Sequence, residues 1–271
     1  MGAADALSGV TNDMGALMVS ARRLVEHHET NAQLWSTCAH AVTSFDPRHE
    51  LRERSRALSS DPTATFLADA IPDDASVCTI GWSGHVVDAL VRRGDVHALV
   101  VDSLGDGADA LRFLSNNDSS CELVSPEGVG AAVESADITI ISALAVGDND
   151  ILACGGSLAL ASVAYCSQKP VWLVAGDMTR LPAQLFDPMA QGVRGRPDVA
   201  GLRPEGRAGA RAGGAEDALR RVVEDRAVRC RLAPLALRRR RLGDQERLDA
   251  PVLAEEAVHV DDEVLHDGEA G

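Results

Sequence analysis

Three short segments hold the residues whose types and spacing could do chemistry. The first is Thr79-Ile80-Gly81-Trp82-Ser83-Gly84-His85, which leaves an apolar run and enters a helix-like stretch. Two glycines and a serine at a helix start leave backbone N–H groups free to bind an anion such as phosphate. The same residues also suit a tight strand-to-helix turn with Ser83 as the cap, and His85 reads as a helix-face residue. The second segment is Asp102-Ser103-Leu104-Gly105-Asp106-Gly107, again after an apolar run. An acid there could accept hydrogen bonds from sugar hydroxyls, or could cap a turn; the Gly-x-Gly is too short for a dinucleotide fingerprint. The third is Gly147-Asp148-Asn149-Asp150, followed by Gly155-Gly156-Ser157. Acids beside a glycine-rich helix start could hold a ligand or a cation, while Asp-Asn-Asp is equally a polar turn.

The candidate ligand-binding residues are therefore Gly81, Trp82, Ser83, Gly84, Asp102, Ser103, Asp148, Asp150, Gly155, Gly156 and Ser157. No catalytic residue, metal ligand or cofactor is expected. The sequence has no P-loop lysine motif, GxSxG elbow or HExxH, and its one lysine, Lys169, precedes Pro170 as the entry to a strand. The six cysteines show no CxxC or Cys/His pairing at metal-ligand spacing. With no secretory signal at the N-terminus, they fit a reduced cytoplasm. The most apolar stretch, Ile151 to Tyr165, is diluted by Gly155, Gly156 and Ser157 and falls short of the roughly 20 residues of a membrane span.

The elements that would position these loops follow from periodicity. Met14, Leu17, Met18, Ala21, Leu24 and Val25 recur at helical intervals behind Thr11, Asn12 and Asp13 as a cap. Further helices are expected at about 31–45 and 48–58. Asp61-Pro62 reads as a cap with proline at the first helical position of a helix reaching Ala70. From residue 75 the rhythm changes to brief runs rich in Val and Ile: Ser76–Ile80, Ala98–Asp102, Cys121–Val124, Asp137–Ile141 and Val171–Ala175. Helix-sized segments at about 84–93, 107–116, 127–135 and 155–167 separate them. Repeated strand–helix units require parallel strands with right-handed crossovers, hence an α/β doubly wound sheet covered on both faces. Ligands bind such sheets outside the carboxyl ends of the strands, where all three segments fall.

Charge and composition divide the chain. The 271 residues carry a net charge of −15, which disfavours nucleic acid and anionic membrane as partners. Residues 1–190 hold 11 Lys and Arg against 25 Asp and Glu, and residues 191–271 hold 15 against 16. From Gln191 onward there is no Ser, Thr, Asn, Lys, Ile, Phe, Tyr, Trp or Met. Those types largely need A- or T-rich codons, so residues 189–271 read either as a GC-rich gene translated out of frame or as a low-complexity, disordered tail. The expected organisation is a helical domain over 1–72, a Rossmann-like domain over 73–188, truncated if the tail is out of frame, and an irregular tail over 189–271.

Three blocks, "VCTIGWSGHVVDAL", "ALVVDSLGDGADALRFL" and "ADITIISALAVGDNDILACGGSLALASVAYCSQKPVWLVAG", give roughly residues 8–185 a resemblance to a known family. The chain resembles the proteins related to the alpha, beta and delta subunits of translation initiation factor 2B, which share a fold with methylthioribose-1-phosphate isomerase and ribose-1,5-bisphosphate isomerase. The resemblance implies a helical N-terminal domain, a Rossmann-like sheet, and pairing as a homodimer or with a related subunit if the C-terminus is intact. The isomerases use a cysteine in the first loop and an aspartate in a Gly-Ala-Asp motif; these positions fall on Gly81 and Leu144, with Ser142 and Ala143 for Gly-Ala. The arginine of Glu-Ser/Thr-Arg-Pro falls on Leu104, and Asn-Lys before Gly-Thr appears as Ala153-Cys154. A leucine exchanges no proton, so the family's chemistry cannot run by the family's mechanism.

The resemblance therefore implies a non-catalytic, cytoplasmic protein that binds a small phosphorylated ligand (a sugar phosphate or nucleotide) or a protein partner. The alternative is an aldose–ketose isomerase acting on a ribose 1-phosphate-type substrate with Asp102, Asp148 or Asp150 as base. The tail has a direct test in the DNA across codons 180–200. Under the out-of-frame reading, another frame continues with an apolar strand and a further helix in ordinary composition; if none of the three frames does so, that reading fails.

Overall fold

The computed structural model describes residues 3–202 and 233–235. The remainder of the tail, on which the out-of-frame and disordered readings mostly bear, lies outside the described residues.

Five helices open the chain: α1 (Ala3–Ser8), α2 (Met14–His27), α3 (Ala32–Thr43), α4 (Pro47–Ser59) and α5 (Thr63–Ala70). Short polar side chains start three of them by accepting otherwise unsatisfied N–H groups. Asp13 takes those of Gly15 and Ala16, Asn31 that of Leu34, and Asp46 that of His49. Leu7, Leu17, Ala21, Leu34, Cys38, Ala41 and Leu51 close one small core among α1–α4. The start of α5 differs from the sequence expectation. Pro62 is the cap residue and the helix begins at Thr63, whose N–H is bound by the Asp61 carboxylate at 2.9 Å.

Beyond it the chain alternates: β1 (Ser76–Ile80), α6 (Gly84–Arg93), β2 (His97–Val101), α7 (Asp106–Asn116), β3 (Ser120–Val124), α8 (Val129–Ser135), β4 (Ile138–Val146), β5 (Ile151–Cys154), α9 (Ser157–Cys166), β6 (Val171–Val174), α10 (Ala183–Gly192), β7 (Val199–Leu202) and β8 (Ala233–Leu235). Strands β3, β2, β1, β4 and β6 lie side by side and parallel. Two-sided burial explains their unbroken apolar composition. Val77, Val100 and Ile140 point into a core with Leu67 of α5, Val86 and Leu90 of α6 and Leu114 of α7. Their neighbours Cys78, Val101 and Ile141 point into the opposite core with Val133 of α8 and Leu160 of α9. The architecture is α/β, as its strand–helix rhythm requires.

The sheet is mixed, not wholly parallel, which the five expected strands did not include. β4 continues past Ile141 to Val146, turns at Gly147–Asp150 and returns as β5, antiparallel; β7 then pairs antiparallel with β5. β8 pairs antiparallel with β6. The apolar run Ile151–Cys154 is only four residues long and is followed by Gly155-Gly156 at the start of α9, so in the sequence it reads as the approach to a helix and not as a strand. The structure also runs on through the change of composition. Met189, Val193 and Leu202 are buried, the first two with Ala32 of α3, Ala145 of β4, Leu152 of β5 and Phe186 of α10. Among the described residues no helix is long and apolar enough to cross a membrane.

At the amino ends of the strands Arg93 pins the end of α6 to the segment entering β1. Its guanidinium donates to the Ile71 carbonyl at 2.7 Å and pairs with Asp73 and Asp95 at 2.8 and 2.6 Å. That pairing holds the Asp95 carboxyl well below its usual range.

Leu160 is fully buried under the sheet, and its loss leaves a cavity that the flanking strands cannot collapse to fill. Leu160→Ala is expected to cost about 2–5 kcal/mol, read as a lowered midpoint in urea unfolding at unchanged slope.

Candidate functional site

Of the sequence-predicted residues, Gly81, Ser103, Gly155, Gly156 and Ser157 come together where β1, β2 and β5 end. Gly81 leaves β1 in a left-handed conformation, φ +63°, that a side chain tolerates poorly. A Cβ there would stand 3.3 Å from Ser103 Cβ and 3.4 Å from Cys154 Sγ, with Asp106 Cβ at 3.9 Å. Ser103 is buried and donates its hydroxyl to the Gly155 carbonyl at 2.9 Å, linking the second loop to the third. Gly155 has no room for a side chain at all: an added Cβ would lie 2.2 Å from the Pro197 carbonyl oxygen. Its N–H donates to the Asp198 carbonyl at 2.8 Å. Arg196 clamps that approaching segment by pairing with Asp198 and with Glu29 beyond α2.

Two helices start at this place without a side-chain cap. Ser83 stands at the cap position of α6, yet its side chain makes no capping hydrogen bond. The cap of α9 is Gly156, φ +85°, which has no side chain to offer. The first-turn N–H groups of both helices are thus not taken by a cap, and the positive ends of both helix dipoles lie at the carboxyl edge of the sheet. The start of α7 differs. Both Asp102 oxygens are engaged there, one with the Gly105 N–H and the other with the Gly107 N–H, each at 3.0 Å. Gly107 is required because a Cβ would come within 2.8 Å of Asp102 Cα.

Trp82 and Leu104 project from the first two loops, 43% and 69% exposed, and Trp82 packs edge-on against Phe113 with ring centres 5.6 Å apart. Gly84 is exposed, with open space where a side chain would be. Asp148 and Asp150 lie apart from the cluster on the β4–β5 turn. That turn is closed by the Gly147 N–H on the Asp150 carbonyl at 2.8 Å, and the exposed Asp148 faces Arg180 at 3.4 Å. The side chains able to exchange protons near Gly81 are Asp106 and Cys154. Cys154 Sγ lies 3.6 Å from the Ile80 carbonyl and 3.3 Å from Ser157 Oγ. Burial pushes its thiol up, reinforced by the Asp106 charge. Among the described residues no group of His, Cys, Asp and Glu has the arrangement of a metal centre.

Sequence reasoning missed two features. Cys154 has no metal-ligand spacing to another cysteine, and nothing in the sequence around it indicates that its Sγ packs beside Gly81 and Ser157 Oγ. The other is a cluster at the end of β6, where Asp61 Oδ2 accepts the Asp177 N–H at 2.8 Å and stands 3.4 Å from His85 Nε2. The sequence marks Asp61 only as a local cap, because its partners lie 24 and 116 residues away along the chain.

With this geometry in place, the relatives can be compared. No family profile matches the chain, and no curated protein matches it. Solved structures do. The translation initiation factor eIF-2B of Pyrococcus horikoshii aligns at 16% identity over 66% of this chain and 71% of its own, with a TM-score of 0.59. The tetrameric eIF2B beta2-delta2 complex of C. thermophilum aligns at 17% identity over 74% and 78%, with a TM-score of 0.57. The eIF2B beta subunit of Chaetomium thermophilum aligns at 16% over 74% and 77%, with a TM-score of 0.55. The helical domain followed by a Rossmann-like sheet is a shared architecture, and the chain has the fold of the eIF2B subunits.

Thiol chemistry tests the geometry around Gly81. Burial pushes Cys38 and Cys78 up to about 11 and 12, and the Cys154 thiol is raised as well, so none is a thiolate at pH 8. Cys166 is exposed. Peptide mapping after brief iodoacetamide treatment at pH 8 should find Cys166 alkylated well before Cys154, Cys38 and Cys78, which react only after denaturation. Early labelling of Cys154 would contradict the packing described.

Proposed function

We propose that this chain is a non-catalytic eIF2B-like protein that binds a small phosphorylated ligand at the carboxyl edge of its sheet and assembles with a related subunit or a second copy. The observation that carries the reading is the pair of uncapped helix starts, α6 and α9, beside Gly81. Backbone N–H groups at such a site bind a phosphate without needing a charged side chain. Nor is a charged side chain present in the matching positions: Leu104 stands where the isomerases carry arginine, and Cys154 where they carry lysine. Gly81 and Leu144 likewise stand in place of the cysteine and aspartate that move protons in those enzymes.

The isomerase alternative needs a free carboxylate at the crevice. Asp102 is engaged at the start of α7, and Asp148 and Asp150 lie on the β4–β5 turn away from the cluster, so these three do not support it; the carboxylate beside Gly81 is Asp106, and an isomerase would have to use it. The reading of an assembly rests on the fold it shares with a complex built from two kinds of eIF2B subunit.

Ribose 5-phosphate or AMP should raise the melting temperature in proportion to occupancy, with a stabilisation near 2.7 kcal/mol expected at a hundredfold excess over Kd. A pentose 1-phosphate incubated with the protein should remain unchanged by NMR. Turnover that disappears on changing one residue of loop 81–84 would replace binding by catalysis.

A further inference from the structure

The helical domain carries an open groove of about 410 Å³ between α1 and α4, and none of the ligand-binding residues above borders it. Its lining is cationic and polar: Arg48, Arg52 and Arg56 of α4, with hydroxyls from Ser55 of α4 and Ser8 of α1. Leu51, buried in the core of the helical domain, also borders it. Residues 48, 52 and 56 are four apart, so they follow one face of the helix at intervals of about 6 Å along its axis. In a chain of net charge −15, four of the eleven Lys and Arg residues of 1–190 stand between positions 48 and 56.

Local pairing does not account for this concentration. Glu50 pairs with Arg54 at 2.9 Å and Glu53 pairs with Arg56. Asp46 is engaged as the cap of α4, accepting the His49 N–H at 3.0 Å. Among the described residues, Arg48 and Arg52 have no ion-pair partner. Helix stability disfavours their placement as well. Arg48 lies in the first turn of α4, where the dipole favours an acid, and like charges four residues apart repel. An anion seated between the two guanidiniums relieves both penalties.

We propose that this groove binds a small oligophosphate, with Arg48 and Arg52 each holding one of two linked phosphates and Arg56, Ser55 and Ser8 completing the wall. A guanidinium takes a phosphate through two parallel N–H donors, so two of them one helical turn apart suit a chain of phosphates better than a single one. The volume is that of a small-molecule site, and no aromatic side chain lines it to stack a base. The bare phosphate chain is therefore what it reads. At 0.15 M salt, charges more than about 8 Å away are largely screened, so the acidity of the rest of the chain does not cancel the groove.

Calorimetric titration of the full chain with inorganic tripolyphosphate at that salt concentration tests the site. Binding should weaken about tenfold in the Arg48→Gln/Arg52→Gln double variant. Arg22→Gln/Arg23→Gln removes the same charge from exposed positions of α2 outside the groove and should change affinity less than about twofold. Orthophosphate should bind about tenfold more weakly than tripolyphosphate, and ATP no more tightly. Saturating ribose 5-phosphate should leave tripolyphosphate binding unchanged; displacement would put the anion in the crevice and overturn the groove site. No binding by the parent, or equal losses in the two double variants, overturns it too. So does tighter binding of ATP or of a glutamate-rich peptide. Both arginines are exposed, and each single variant is titrated as well, so misfolding of the double variant leaves two measurements; unchanged affinity in both singles rejects the proposal.

Discussion

Strand β4 carries two sheets on one backbone, and most of the molecule follows from that division. Its first half, Ile138 to Ser142, is hydrogen-bonded between β1 and β6 as the middle of the parallel sheet. Its second half, Ala143 to Val146, takes β5 as an antiparallel partner, with a register shift between Ala143 and Ala145. Side-chain alternation continues across the division, so Ile140 and Ile141 serve the two faces of the parallel sheet while Ala145 serves a third core with Ala32, Leu152, Phe186 and Met189. That third core is where the helical domain acquires a hydrophobic seat on the sheet. It uses α10, which lies across the point where the composition of the chain changes. A boundary drawn from composition and one drawn from packing therefore need not coincide.

The carboxyl edge is assembled largely from main chain. Gly81, Gly105 and Gly156 adopt left-handed conformations at the ends of β1, β2 and β5, and Gly155 admits the carbonyl of Pro197 where a methyl group could not stand. Such close approach leaves little space for functional side chains around Gly81. The hydroxyls of Ser103 and Ser157 both turn inward, to the Gly155 carbonyl and to Cys154 Sγ respectively. What faces outward is helix N-termini, the apolar surfaces of Trp82 and Leu104, and the exposed Asp106.

Much of this was legible from residue order. The β1 and α6 boundaries agree with their apolar runs and with the αL glycine, Gly94, that ends the helix. Asp13 caps α2, and Lys169 enters a strand with its ammonium on the Ala136 carbonyl. Local periodicity and punctuation carried those readings. The hairpin β4–β5 was not legible because Gly147-Asp148-Asn149-Asp150 looks the same as a turn, a ligand loop or a cation loop until the partner strand is known. The gathering of Asp61, His85 and Asp177 was not legible for a stronger reason. Hydrogen bonds spanning 116 residues leave no periodic trace in a single sequence.

The comparison at 16–17% identity shows which level of description is kept. A fold needs apolar residues of about the right size at alternating positions and glycines where the backbone must turn or touch; many sequences satisfy that. A catalytic site needs particular groups at particular atoms, and one substitution removes them. A scaffold can therefore stay recognisable whatever groups stand on it, which is why fold alone does not decide function. Here the Rossmann-like edge, its glycine exits and its uncapped helix starts are present. Leu104 is largely exposed and left-handed, with φ +55°, a strained choice for a branched side chain. Such strain concentrates where a surface is used.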